Sequence, residues 1–216
     1  MDVDAFLEAV GYKRYGGSGT FSKEDEVTML EIVQQNPCRI DAQLLLIECA
    51  HYNYPHFFPQ FWTAYYQEAV EKGLGCWKPE ELAEIYLLGC NLYYYDQNNK
   101  PSEIEAVVKA FEIAPNYWRA IATYVGYFRD ELPVDERLEL IKRITGENPN
   151  HPNPYYMQAG FFEDSASNTG QSQYRDAAIA AYQKSLDLGM DSPAYDIPRR
   201  VIEEKIKQLR EMSNRL

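Results

Sequence analysis

Apolar residues along this chain recur at intervals of three and four, the spacing that lines one face of a helix, and strand-like alternation is nearly absent. Asp2–Val10 reads as a short opening helix that stops at Gly11, and YGGSGT (Tyr15–Thr20) as a flexible loop. Ser22 with Asp25 three residues on has the form of a helix start, and Pro37 lies beyond the end of that run. Asp41 to about Asn53 is apolar on nearly every face (AQLLLIECA), as in a helix buried between neighbours. Pro55 and Pro59 interrupt it, and Phe61–Leu74 resumes the helical period.

Pro79 suits the first position of the next helix, where an amide N–H has no intrahelical acceptor to lose. That helix is expected to reach about Tyr95, with Gln97–Lys100 as the turn and Ser102 and Glu105 as a capping box. Further helices are predicted over Tyr117–Asp130, Asp135–Thr145, Pro154–Asp164, Tyr174–Leu188 and Pro198–Met212. Ser165–Gln173 (SASNTGQSQ) is polar and small, so it reads as a mobile loop in which Ala166→Leu costs little. The last helix carries Ile202, Ile206, Leu209 and Met212 on one stripe and charges elsewhere, the pattern of a cap with a single neighbour.

Pro115 and Pro149 each close a helical run, and they stand 34 residues apart. A period of that size marks helix–turn–helix repeats, in which one unit cannot bury its apolar face alone. Tyr65–Leu74 (YYQEAVEKGL) and Tyr174–Gly189 (YRDAAIAAYQKSLDLG) resemble the second helix of tetratricopeptide and Sel1-like repeats. Ala178, Tyr182 and Ser185 match its order of small, aromatic and small residues, and Leu88–Gly89 matches the Leu-Gly pair of the first helix. The small position recurs at Ala69, Ala110 and Ser185, with Ile144 in the third unit, in steps of 41, 34 and 41. Covering roughly Asp41–Gly189, the resemblance implies an all-α fold, a short α-solenoid of about four irregular helix–turn–helix repeats. Residues 1–40 would then supply N-terminal helices and a flexible loop, 41–189 the repeats and 190–216 a capping helix. With no boundary visible, 1–216 reads as a single domain.

Charge narrows the partners. The chain has 33 acidic and 21 basic residues, a net −12, which repels phosphate backbones and anionic membrane surfaces and favours a basic partner. The segment MDVDAFLEAV lacks the basic start of a secretory signal, and no run of about 18 apolar residues suggests a membrane span. Cys38, Cys49, Cys76 and Cys90 are scattered without a CxxC pair and read as reduced, mostly buried thiols of a cytoplasmic protein.

Signatures of catalysis are missing. GGSGT (Gly16–Thr20) lacks the Gly-Lys-Ser/Thr ending that grips phosphate. His51, His56 and His151 form no metal-binding pattern, and Cys49 and His51 point to different helix faces. Glu80–Glu81 and Glu203–Glu204 are adjacent carboxylates on solvated faces. The expectation is a non-enzyme without metal or cofactor.

Tyrosine is the unusual component, 18 of 216 residues, with runs at Tyr65–Tyr66, Tyr93–Tyr95 and Tyr155–Tyr156. Adjacent helical residues point about 100° apart, so no such run is wholly buried. In repeats of the kind this chain resembles, first helices line the concave groove, which makes Tyr86, Tyr93, Tyr94 and Tyr156 the candidate partner-binding residues. The Lys/Asn ladder that some tetratricopeptide domains close on a peptide carboxylate has no clear counterpart, since Arg119, Gly126, Tyr156 and Gly160 occupy those stretches. The leading expectation is a protein–protein interaction module that holds a protein or peptide, basic in character, in that groove. Two alternatives stand beside it: an acidic bacterial immunity protein or secretion chaperone that masks a basic toxin or effector, and an enzyme whose site assembles across repeats.

Overall fold

Ser22 starts the first helix as its spacing predicts. Its Oγ accepts from Asp25 N–H at 3.1 Å while Asp25 Oδ2 accepts from Ser22 N–H at 2.8 Å, so two orphan amides are satisfied reciprocally. In the computed structural model, which describes residues 22–53, 60–94, 99–146, 148–190 and 197–212, ten helices and no strand are found among the described residues. They are α1 (Lys23–Gln35), α2 (Ile40–Asn53), α3 (Gln60–Cys76), α4 (Pro79–Leu92), α5 (Lys100–Ile113), α6 (Trp118–Tyr127), α7 (Val134–Gly146), α8 (Pro152–Thr169), α9 (Ser172–Asp187) and α10 (Arg199–Met212). The opening helix expected at Asp2–Val10, the Tyr15–Thr20 loop and Tyr95 lie outside the described residues.

The chain divides into two compact units, Met1–Pro115 and Asn116–Leu216, at one of the two prolines spaced by 34. Within each unit every helix packs on the one before it, and α2 also meets α4, as α6 meets α8. Helix α2 shows why its sequence is apolar all round. Ile40, Leu44 and Ile47 join Trp62, Tyr66 and Ile85 in one core cluster, whereas Ala42, Leu45, Leu46 and Cys49 join Met29, Ile32 and Val33 of α1 in another. Each such Leu or Ile contributes about 1.5–3 kcal/mol relative to an exposed position.

In the second unit, Ala159 of α8, Ala178 and Tyr182 of α9, and Ile202, Ile206 and Leu209 of α10 close a third cluster. The stripe read on the last helix therefore buries its first three members. Ala69, Ala110, Ile144 and Ser185, the positions assigned to close backbone approach, are all fully buried.

Three expectations need correction. Residues 165–169 are helical, and α8 ends at Gly170, whose φ of +68° closes the helix in the left-handed region. Ser165 Oγ donates to the Phe161 carbonyl at 2.9 Å and Thr169 Oγ1 to the Ser165 carbonyl at 2.8 Å, so polar residues that favour loops fold back onto their own helix. Ala166 is 2% exposed and is no tolerant loop position. Secondly, α5 is capped by Asn99, which accepts from Ser102 N–H at 3.3 Å; Pro101 fits the first turn, so the helix begins earlier than a Ser102 cap allows. Thirdly, two of the four cysteines are not reduced. Cys38, between α1 and α2, forms a disulfide with Cys76 at the end of α3, their Cα atoms 5.2 Å apart, while Cys49 and Cys90 are buried thiols. The two partners are 38 residues apart in sequence, so no local pattern reveals the pairing.

Candidate functional site

Helix α8 presents two adjoining rows of side chains on one face. Tyr156, Gly160 and Glu163 follow one another at helical spacing, and Met157, Phe161 and Asp164 form the adjoining row. Tyr182 of α9 and Lys205 of α10 complete an open cleft of about 340 Å³ over these rows. The positions of its parts follow from the core beneath. Ala159 and Ala178 are fully buried between α8 and α9, while Ile202 and Ile206 anchor α10, so Tyr182 and Lys205 are fixed from below.

One carboxylate organises the cleft. Glu163 Oε2 accepts from the Tyr182 hydroxyl at 2.5 Å and pairs with Lys205 Nζ at 2.8 Å. Lys205 Nζ also lies 5.6 Å from the centre of the Tyr182 ring, an ammonium held between an aromatic face and a carboxylate. Burial, then the hydrogen bond to Glu163, pushes the Tyr182 phenol far above its ordinary value, so it remains a donor at physiological pH. Tyr156 meets Tyr182 edge to face, with centroids 5.6 Å apart. At the opposite end Asp164 pairs with Arg129 at 2.9 Å, and Arg137 holds the Arg129 carbonyl at 2.8 Å.

The other tyrosines named from sequence lie in the first unit. Tyr66 is the hub there: it meets Trp62, Tyr86 and Tyr93 edge to face at 6.2, 6.4 and 5.9 Å. Tyr86 and Tyr93 are half-buried in that cluster, whereas Tyr94 is 55% exposed. Burial raises the phenol pKa of Tyr66, Tyr86 and Tyr93. Tyr86 and Tyr93 are thus brought together, and Tyr156 belongs to the α8–α10 cleft in the other unit.

Sequence reasoning singled out Tyr156 but not Met157, Phe161, Glu163 or Lys205. The available signal was the row of residues three and four apart from Tyr156, which lies wholly within the predicted helix Pro154–Asp164. Elsewhere the chemistry is quiet. His151 caps α8 through Nδ1, which accepts from Asn153 N–H at 3.2 Å, and burial lowers its pKa. Cys49 is held as a thiol by burial and by the charges of Asp25, Glu48 and Glu26. Among the described residues no group of three His, Cys, Asp or Glu is placed to hold a metal ion, and no helix is long and apolar enough to cross a membrane. Comparison of the chain with protein-family models and with curated proteins finds no match.

Proposed function

We propose that this protein is a non-enzymatic interaction module that grips a segment of a partner polypeptide, with the α8–α10 cleft as one of its contact sites. The observation that carries this reading is the cleft itself. It is open and about 340 Å³ in volume, walled by Tyr156, Met157 and Phe161, and edged by polar tips that are already hydrogen-bonded. Aromatic and thioether side chains give large contact area with few polar groups to desolvate, which is how interface hot spots are built. The helical-repeat resemblance agrees with this role, and sequential packing of the helices within each unit is what a solenoid requires. A basic partner fits the net charge of −12. The Cys38–Cys76 disulfide fits an oxidising environment better than a reducing cytoplasm.

Panning a random-peptide display library against the full chain tests the reading. Peptides should be enriched, and Tyr156→Ala should weaken their binding by about 1–2 kcal/mol with the fold intact. Tyr94→Ala provides the same test for the exposed tyrosine of the first unit. Failure to enrich any sequence over an empty support would sink the proposal.

A further inference from the structure

We propose that the α8–α10 cleft seats an aromatic side chain of the partner polypeptide on the bare backbone at Gly160, an inference that rests on the protein-binding reading above. The first unit contains the same seat already filled. There the Tyr66 ring rests on Gly89 of α4, where a Cβ would come within 2.6 Å of Tyr66 Cζ. Trp62, Tyr86 and Tyr93 hold that ring edge to face. Gly160 of α8 has no such occupant. Glycine weakens a helix interior, and no neighbour accounts for it here, since a Cβ would meet nothing within 4 Å. Gly75, Gly126 and Gly146 are open too, but they stand in the last turns of their helices, where the run is ending.

Rings surround the opening as they surround Tyr66. Tyr156, Phe161 and Tyr182 line it, and Met157 adds a thioether. Tyr156 already meets Tyr182 edge to face, so a guest ring would extend an existing aromatic pair. Charge calls for a neutral guest. Every charged group lining the cleft is paired, Glu163 with Lys205 at 2.8 Å and Asp164 with Arg129 at 2.9 Å. Arg137 lines the adjoining hollow together with Arg129 and Asp164, so Asp164 has no charge to spare. A charged guest would have to break one of these pairs or lose its water without gaining a counter-ion. An aliphatic guest would suit the charge but forgo the ring–ring and sulfur–ring contacts.

Two-dimensional NMR of the full chain, titrated with N-acetyl-phenylalanine methylamide, tests the seat against two controls, the leucine and arginine analogues. The phenylalanine analogue should shift the signals of Tyr156, Gly160, Phe161 and Tyr182. It should bind about three- to tenfold more tightly than either control. Added salt should leave its affinity unchanged, because the guest carries no charge to screen. Gly160→Ala puts a methyl group in the seat and should weaken binding by about threefold or more. The same variant should melt at a higher temperature than the parent, so its loss of binding is not a loss of fold. Equal or tighter binding of the leucine or arginine analogue at these residues would overturn the aromatic seat while leaving a protein-binding cleft in place. Unchanged affinity in Gly160→Ala would overturn the part given to Gly160. Shifts confined to other residues, or none with any of the three probes, would overturn the site itself. The peptide-display experiment judges the broader reading separately.

Discussion

Gly89 and Gly160 both lie inside helices, and their surroundings give them opposite roles. A Cβ on Gly89 would come within 2.6 Å of Tyr66 Cζ and 2.9 Å of its hydroxyl, so the ring of α3 rests on the bare backbone of α4. Gly89→Ala should therefore destabilise the protein by about 1–3 kcal/mol, and pairing it with Tyr66→Leu should recover part of that loss. Gly160→Ala meets open space and should stabilise by about 0.5–1 kcal/mol. Urea unfolding of the three variants measures both signs. Glu48 provides a pH test. Burial raises its carboxyl from the ordinary 4.5 to about 7. Below pH 4.5 both states are protonated; between 4.5 and about 7 the unfolded chain releases the proton while the folded chain keeps it. Stability should fall with rising pH across that window, by roughly 2 kcal/mol, and Glu48→Gln should flatten the slope.

At the scale of elements, helix and loop preferences compete in the last turns of α8. Ala110, Ala178 and Ala166 are 0, 0 and 2% exposed, so leucine at any of them should overpack a helix junction and cost about 1–3 kcal/mol. Ser167→Leu, on the exposed side of the same turn, should cost under about 0.5 kcal/mol. Equal melting temperatures for Ala166→Leu and Ser167→Leu would place residues 165–169 outside the helix. The Cys38–Cys76 bond ties the start of α2 to the end of α3, where Trp77 Nε1 also donates to the Cys38 carbonyl at 3.0 Å. Reduction, or Cys38→Ser, should lower stability by about 2–4 kcal/mol. Thiol titration of the denatured, unreduced chain should find two thiols, those of Cys49 and Cys90.

For the molecule as a whole, the acidic surplus is uneven. Residues 1–115 carry 18 acidic and 8 basic side chains, whereas 116–216 carry 15 and 13. The field that attracts a basic partner therefore arises mainly in the first unit, and the α8–α10 cleft lies in the second. Attraction and grip should separate in kinetics. Glu71→Lys with Glu80→Lys, both exposed, should slow association of the display-selected basic peptides by about two- to fivefold and leave dissociation unchanged. Added salt should slow association in the same way, with a screening length of about 10 Å at 0.1 M. Stopped-flow measurement at two salt concentrations reads both effects, and association indifferent to salt would remove electrostatic steering.

What the sequence determined by itself was local. Helical periodicity, the Ser22 cap, Pro79 at a helix start and the all-round apolar face of α2 each depend on residues within a few turns of one another, so the string of letters contains them. The tertiary structure decided whatever depends on residues far apart or on two local preferences in competition. Ser165–Thr169 carry loop-forming side chains, and it is burial of Ser165 and Ala166 that makes the helix win. Cys38 meets Cys76 only because α2 and α3 fold back on each other. The cleft exists because Tyr182 and Lys205, 19 and 42 residues beyond Glu163, converge on one carboxylate oxygen, and no spacing rule within a helix encodes that meeting.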